Sequence, residues 1–115
     1  MTVSELCASL AGAERVCGSD AALSREVTGG YCGDLLSWVM GRAQPGQAWV
    51  TIMGNANTAA VALLADVSCV ILAEGVAPDA QLLSRARAED LPLFGSAASA
   101  FELCAAIGRA LRICC

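Results

Sequence analysis

One apolar segment, residues 67–73, constrains the fold of this 115-residue chain most strongly. It has the length of a strand, is rich in valine and isoleucine, and carries no charged residue. Runs of this kind are typical of central parallel strands, which are buried on both faces of a sheet. A second strand pattern at residues 48–53 is separated from it by a helix-length segment. Two parallel strands joined by a helix form a βαβ unit, so the sequence predicts an α/β fold.

Strand and helix patterns alternate along the whole chain. Further short strands are predicted at residues 14–18 and 91–95, with another short pairing near Val27. Right-handed crossovers between parallel strands place helices on both faces of a sheet. We therefore predict a single three-layer α/β/α domain over residues 1–115, with a mainly parallel sheet of four or five strands. The predicted helices start at Thr2, at Tyr31, at Asn55 or Asn57, at Pro78, and at Ser96 or Ser99.

The helix predicted at residues 31–43 follows a Thr-Gly-Gly segment, residues 28–30, which we interpret as the turn that leads into it. In this arrangement Cys32 lies in the first helical turn, and Asp34 lies where a carboxylate interacts favourably with the helix dipole. The apolar residues of the segment recur at three and four positions, the spacing of one buried face. They are Leu35, Leu36, Val39 and Met40.

The residue content excludes several classes of function. Hydrophobic residues make up 57% of the chain and charged residues 16%, which is too apolar for intrinsic disorder. The net charge is −4 and no two basic residues are adjacent, so we expect no nucleic-acid partner and no anionic membrane partner. The chain has no histidine and no lysine, which excludes a histidine-based triad, a Schiff-base lysine and a lysine-containing phosphate loop. We predict no catalytic residues and no cofactor.

The cysteines indicate a reducing compartment. They number seven, most of them lie among apolar residues, and no basic leader sequence precedes them. Cysteine in such a setting behaves as a small hydrophobic residue, so we expect reduced, mostly buried thiols, a cytoplasmic location and no metal site. The pair Cys114-Cys115 is either reactive, a ligand set shared with a partner chain, or a tail without function.

The most membrane-like stretch, residues 56–73, does not have the pattern of a membrane span. Asn57, Asp66 and Ser68 interrupt it, and an aspartate at the depth of the bilayer centre is costly. A buried helix followed by a buried strand explains the stretch, so we predict no transmembrane segment.

Several segments resemble the DRTGG domain family, and the resemblance covers about residues 24–111. They are VTGGY at residues 27–31, GDLLSWVM at 33–40, WVTI at 49–52, NTAAVA at 57–62, and VIL at 70–72 followed by Glu74-Gly75. The naming signature departs at its start, because Ser24 stands near the position of its aspartate and Glu26-Val27 separate Arg25 from the Thr-Gly-Gly core.

The resemblance implies a regulatory role. The DRTGG domain is similar to the N-terminal domain of HPr kinase/phosphorylase, and it also occurs beside CBS domains and within some phosphotransacetylases. That N-terminal domain is separate from the catalytic part of the kinase. The resemblance therefore implies an accessory, non-catalytic module, and kinase activity is not expected of this chain.

A candidate ligand site follows from the predicted sheet. Ligands of open parallel sheets bind at the carboxyl ends of the strands, where loops lead into helix N-termini. Glycine at each strand exit lets a ligand approach the backbone, and a glutamate there suits a hydroxyl or amino group better than a phosphate. The alternative is that these residues only form turns and helix caps. The predicted site residues are Gly54, Asn55, Asn57, Thr58, Glu74 and Gly75, with Gly29 and Gly30 contributing if the fold brings them near.

Three function hypotheses remain open at this point. The first is a non-catalytic regulatory module that senses a nucleotide or another anionic metabolite and acts with a partner protein. The second is a structural or protein-interaction subunit with no small-molecule ligand, and the third is an enzyme. The apolar composition also predicts a two-fold dimer, with Trp38 either at the interface or in the core of the monomer.

Overall fold

The structure, a computed structural model, describes residues 1–10 and 12–113. Within these residues the chain forms five strands: β1 (Glu14–Cys17), β2 (Gly29–Cys32), β3 (Gln47–Thr51), β4 (Cys69–Leu72) and β5 (Leu93–Gly95). It also forms six helices there: α1 (Val3–Ser9), α2 (Asp20–Leu23), α3 (Leu36–Arg42), α4 (Ala56–Ala65), α5 (Ala80–Ala88) and α6 (Ala100–Ala110). The alternation of strands and helices confirms the predicted α/β class.

The five strands form one sheet in the order β1-β5-β4-β3-β2. Strands β2 to β5 are parallel to one another, whereas β1 runs antiparallel beside β5. The strand predicted at residues 67–73 is β4, which lies in the middle of the sheet with all four of its residues buried. A mainly parallel sheet of five strands is thus confirmed.

Two apolar cores lie on the two faces of this sheet. Because successive residues of a strand point to opposite faces, Trp49 and Val70 belong to one core and Val50 and Ile71 to the other. Helices α3, α4 and α5 cover the first face, and α1 and α6 cover the second. Burial of each large apolar side chain stabilises the fold by about 1.5–3 kcal/mol. The three-layer arrangement is the predicted one.

Five of the six described helices begin at a polar N-cap residue, and the exception is α3. Thr2 and Glu5 form a capping box at α1, in which each side chain accepts a hydrogen bond from the other residue's backbone N–H. Of the alternatives considered for α4 and α6, the caps are Asn55 and Ser99. Asp79 caps α5 in the same way. A side-chain cap of this kind contributes about 1 kcal/mol.

The prediction of a helix at residues 31–43 is wrong for the first turn. Gly29–Cys32 forms the edge strand β2, and the helix α3 begins only at Leu36. Two glycines are poor helix formers, and here they allow close packing instead. A Cβ on Gly30 would lie 3.3 Å from Ile107 Cγ2, so a larger residue there would require the Ile107 side chain to shift.

Two predictions about single residues are therefore also wrong. Cys32 is exposed at the end of β2 and does not lie in a helical turn. Asp34 lies between β2 and α3, where its carboxylate Oδ1 accepts hydrogen bonds from Thr51 Oγ1 (2.8 Å) and from the backbone N–H of Ile52 (2.9 Å). Asp34 thus connects the ends of two strands, and this bond replaces the expected interaction with a helix dipole.

The buried face of α3 is narrower than the apolar spacing predicted. Val39 is fully buried and Leu36 packs against the core, but Leu35 and Met40 are exposed. Trp38 is 55% exposed, so the prediction that it packs in the core of the monomer is wrong. The helix consequently presents large apolar side chains to solvent.

The segment 19–27 contains the short helix α2, which Ser19 caps. The short pairing expected near Val27 is present as an isolated antiparallel bridge between Thr2 and Glu26. This bridge holds the start of the chain against the segment that precedes β2.

The described cysteines are free thiols. Cys7, Cys17 and Cys69 are buried, Cys104 is partly buried and Cys32 is exposed, so the expected burial is confirmed for three of these five. Cys114 and Cys115 fall outside the described residues. No helix within residues 1–10 and 12–113 is long and apolar enough to cross a membrane.

Candidate ligand-binding site at the carboxyl edge of the sheet

The connections that leave β4 and β5 diverge at the carboxyl edge of the sheet. Helices α3, α4 and α5, which follow β2, β3 and β4, all cover one face, whereas α6, which follows β5, covers the other face. Adjacent strands whose connections leave toward opposite faces open a crevice between their loops, where ligands of α/β sheets bind. In this topology that crevice lies between β4 and β5.

A cavity of about 330 Å³ lies at this crevice, and we call it the β4–β5 cavity. Because β1 runs antiparallel to β5, with Glu14 opposite Gly95, the start of β1 reaches the same edge. Glu14 contributes the one charged side chain among the described residues that line the cavity. The lining residues are Gly12, Glu14, Val16, Gly75, Val76, Ala77, Pro78, Gly95, Ser96 and Ala97.

Backbone hydrogen bonds fix the loop after β4 against the loop after β5. Glu74 N–H donates to Ala98 O and Gly75 N–H donates to Ser96 O, both at 2.9 Å. Glu74 and Gly75 both have a left-handed backbone, with φ of 62° and 73°. Since Glu74 is not glycine, this tight turn depends on the hydrogen bonds that hold it. The turn leaves the Glu74 side chain exposed at the edge.

The far end of the same loop packs against Gly54. The carbonyl of Gly54 accepts a hydrogen bond from Asp79 N–H at 2.8 Å, and a Cβ on Gly54 would lie 2.7 Å from the carbonyl oxygen of Ala77. Gly54 is therefore required by its contact with residues 76–77. Residues 76–77 occupy the space directly beside Gly54.

The polar residues after β3 are engaged to different degrees. Asn55 Oδ1 accepts a hydrogen bond from Asn57 N–H at 2.9 Å, and the buried Thr58 donates its hydroxyl to Met53 O at 2.6 Å. The side chain of Asn57 is exposed. Asn55 and Thr58 thus have structural roles, while Asn57 remains accessible from solvent.

Gly29 and Gly30 lie away from this edge. Gly29 pairs with Gln47 at the start of β3, which is the amino end of the parallel strands, whereas Gly54 follows the carboxyl end. The structure therefore brings Glu74 and Gly75 to the β4–β5 cavity and places Gly54 to Thr58 beside it, but it separates Gly29 and Gly30 from both.

Sequence reasoning missed Glu14, the charged residue of the cavity. Its position depends on the direction of β1, and a four-residue strand carries no pattern that distinguishes parallel from antiparallel pairing. Gly95, the last residue of β5, and Ser96 after it were visible in the sequence as a strand exit. Their position beside the crevice can be recognised only once the face of the sheet that α6 covers is known.

Among solved structures, the chain is similar to the CBS and DRTGG domains of the regulatory region of a Clostridium perfringens pyrophosphatase, in complex with its activator diadenosine tetraphosphate. The TM-score is 0.73 and the sequence identity 13%, and the match covers 92% of this chain and 45% of that one. This chain thus spans less than half the length of its structural neighbour. No protein-family model matches the chain, and no curated protein matches it.

The chain therefore has an α/β fold of a type that occurs in that regulatory region. The likeness confirms the DRTGG-like fold that the sequence motifs implied. At 13% identity it concerns the fold alone, and membership of the family stays a prediction.

Proposed function

We propose that the chain is a non-catalytic regulatory module that binds a nucleoside-like ligand in the β4–β5 cavity and acts with a partner protein. The observation that carries the proposal is the position of this cavity, at the point where the connections of two adjacent parallel strands diverge. Its volume of about 330 Å³ lies at the lower end of the range for small-molecule pockets.

The charges at the edge favour a ligand with hydroxyl or amino groups. Glu14 lines the cavity and Glu74 is exposed on the adjoining turn, and both carboxylates accept hydrogen bonds. A bare phosphate would be repelled by two carboxylates, whereas the hydroxyls of a ribose and the amino group of a base donate to them. Apolar residues such as Val16 and Val76 supply a surface for a ring.

The structural neighbour supports the same class of ligand. Its regulatory region is described with diadenosine tetraphosphate as its activator, and that compound contains two nucleosides. The absence of histidine and lysine from our chain agrees with a regulatory role. Its mostly buried free thiols support a cytoplasmic location.

A thermal-shift assay with adenosine, AMP and diadenosine tetraphosphate tests the proposal. A ligand at 100 times its Kd adds about 2.7 kcal/mol to the free energy of unfolding, which is readily measured. We expect a shift with adenosine that Glu14→Gln and Glu74→Gln reduce. Asn57→Ala is the matched control, because Asn57 is exposed at the same edge but outside the cavity.

The outcomes separate the hypotheses. Loss of binding with Asn57→Ala but not with Glu14→Gln would move the site to the loop after β3, where Gly54, Asn55 and Thr58 lie. If none of the three compounds shifts the unfolding temperature, the result would favour an interaction subunit without a small-molecule ligand.

A second copy of the chain is the partner that the surface of α3 fits best. Two α3 helices could pack antiparallel about a two-fold axis at Trp38. A residue a given number of positions before Trp38 in one copy would then meet the residue the same number of positions after Trp38 in the other copy. Leu35, 60% exposed, would then face Gly41, where an added Cβ meets no atom within 4 Å. Arg42 lies over the Trp38 ring, 4.1 Å from the ring centroid, so the two side chains would enter the contact together.

A further inference from the structure

A second cavity, of about 280 Å³, lies between the edge strand β2 and helix α6, and we call it the β2–α6 cavity. It shares no described lining residue with the β4–β5 cavity, and two of its lining residues are cysteines. None of its described lining residues is charged. They are Gly30, Tyr31, Cys32, Val50, Cys104, Ile107, Gly108 and Ile113.

The periodicities of strand and helix bring the two thiols together. Gly30 and Cys32 are two positions apart in β2 and therefore point to the same face of the sheet. Cys104 and Ile107 are three positions apart in α6 and share the face that packs on that sheet. Since Gly30 lies against Ile107, Cys32 lies against Cys104, one turn earlier in the helix.

The two thiols differ in exposure, and the pKa of the less exposed one is raised. Partial burial, together with a hydrogen bond between its thiol and that of Cys32, raises the pKa of Cys104 to about 11. Cys104 therefore keeps its proton at neutral pH. Cys32 is exposed on the edge strand, so a reagent in solvent reaches it first.

A second thiol pair on the same side of the sheet provides an internal comparison. Cys7 of α1 and Cys69 of β4 are also in contact, and a hydrogen bond between the two thiols together with burial raises the pKa of Cys69 well above its usual value. Their exposed fractions are only 4% and 0%. Two pairs of thiols are therefore in contact in the described part of the chain, but solvent reaches only the pair of Cys32 and Cys104.

We propose that Cys32 and Cys104 form a thiol–disulfide exchange site that accepts small uncharged disulfides. The Cys32 thiolate attacks one sulfur of the reagent, the S–S bond breaks, and half of the reagent leaves as a thiolate that takes up a proton. Cys104 loses its proton to solvent and attacks the Cys32 sulfur, which releases the second half as a thiol. Two protein thiols are oxidised to one disulfide, and one small disulfide is reduced to two thiols.

The cavity determines the class of reagent. Its uncharged and mainly apolar lining accommodates the departing thiol but offers no counter-charge to an anion. The net charge of −4 further disfavours anionic reagents. An uncharged disulfide is therefore expected to react faster than a charged one of similar intrinsic reactivity.

The experiment uses 2,2′-dithiodipyridine, which is uncharged, and the dianionic Ellman reagent as the comparison. Both are applied to native protein that carries Cys114→Ser and Cys115→Ser, because these two cysteines directly follow the cavity residue Ile113. We expect loss of two hydrogen atoms by intact mass, a Cys32–Cys104 linkage by peptide mapping, and at least a tenfold faster reaction with the uncharged reagent.

Single variants assign the two roles. In Cys104→Ser the reaction should stop at a mixed disulfide on Cys32, and in Cys32→Ser the fast reaction should disappear. Cys17→Ser is the matched control, because Cys17 is buried in the core on the other face of the sheet, and it should react as the parent does.

Several results would overturn the proposal. These are a native linkage between Cys7 and Cys69, no adduct on Cys32 when Cys104 is replaced, or an Ellman reagent that reacts at least as fast as the uncharged one. If Cys104→Ser does not fold, Cys104→Ala replaces it, and the peptide map of the parent decides independently of either variant.

Discussion

Asp34 and Thr51 are joined by a hydrogen bond of 2.8 Å that ties the end of β2 to the end of β3. Thr51 is 1% exposed and donates its hydroxyl to the Asp34 carboxylate, which also accepts the backbone N–H of Ile52. The bond fixes the chain just before α3 begins. It therefore sets the position of the helix that carries Trp38.

Removing this carboxylate should destabilise the domain. Asp34→Ala leaves the buried Thr51 hydroxyl without its acceptor, so we expect a loss of about 1–3 kcal/mol in the free energy of unfolding, measured by urea denaturation. In the double variant Asp34→Ala/Thr51→Val the loss should be smaller than the sum of the single losses. Additive losses would show that the two residues act independently. Asp20→Ala, an exposed aspartate on α2, is the control.

The two asparagines at the start of α4 should respond differently to replacement. Asn55→Ala removes the N-cap and should cost about 1 kcal/mol of stability. Asn57→Ala changes an exposed side chain and should stay within about 0.5 kcal/mol of the parent. The reverse order in thermal or urea unfolding would contradict the assignment of the cap.

The surface of α3 predicts a dimer in solution. We expect sedimentation at high micromolar concentration to show a species twice the monomer mass of 11.7 kDa, and Trp38→Ala to shift it toward monomer. Gly41→Leu should weaken the dimer as well, because the leucine would fill the space opposite Leu35 of the other copy. Leucine is a better helix former than glycine, so the monomer itself should not lose stability. Phe101→Ala, at an 83% exposed position on α6, should leave the association unchanged. A parent protein that sediments as a monomer would exclude this interface.

The buried thiols predict a loss of stability in alkali. Because the folded-state pKa of Cys104 is raised to about 11, folding favours its protonated thiol, and that contribution is fully present below the unfolded pKa near 9. It should be lost as pH rises from about 9 to about 11. Cys69, whose pKa is also raised, adds to the effect. Urea midpoints measured across this range should fall, and they should fall less in Cys104→Ala.

Pure protein should show no phosphotransfer activity. The chain has no lysine for a phosphate loop and no histidine for general-base or phosphoryl chemistry. We expect no incorporation of labelled phosphate from ATP into a carrier protein or into the chain itself. Incorporation above a heat-inactivated control would refute the assignment as a non-catalytic module.

Strands with a continuous apolar sequence could be predicted, whereas the edge strand β2 could not. β4 could be identified because its apolar run suits only a strand buried on both faces. Gly29 and Gly30, in contrast, fit both a tight turn and a short edge strand. Pairing with β3 decides between them, and that partner lies well beyond the local sequence. The apolar spacing of Val39 and Leu36 predicted α3 but extended it too far toward the N-terminus.

The carboxyl edge of the sheet could be predicted from the sequence, but the position of the crevice along that edge could not. Strand exits such as Gly54 and Gly75 are visible in the sequence as glycines after apolar runs. The crevice, however, depends on which face each following helix covers. The face taken by α6 is set by its packing against α1 and β2, a tertiary contact without a local signature.

The antiparallel strand β1 has a consequence for the order of folding. The strands β2, β3, β4 and β5 are neighbours in the sheet in the order of the chain, so each crossover closes a short loop. The pairing of Glu14 with Gly95 instead joins two points separated by most of the chain, and closing that longer loop costs more entropy. Folding is therefore expected to nucleate in the crossovers around β4, and the N-terminal segment docks last. The cavity edge that contains Glu14 is then the part that opens first when the native protein fluctuates.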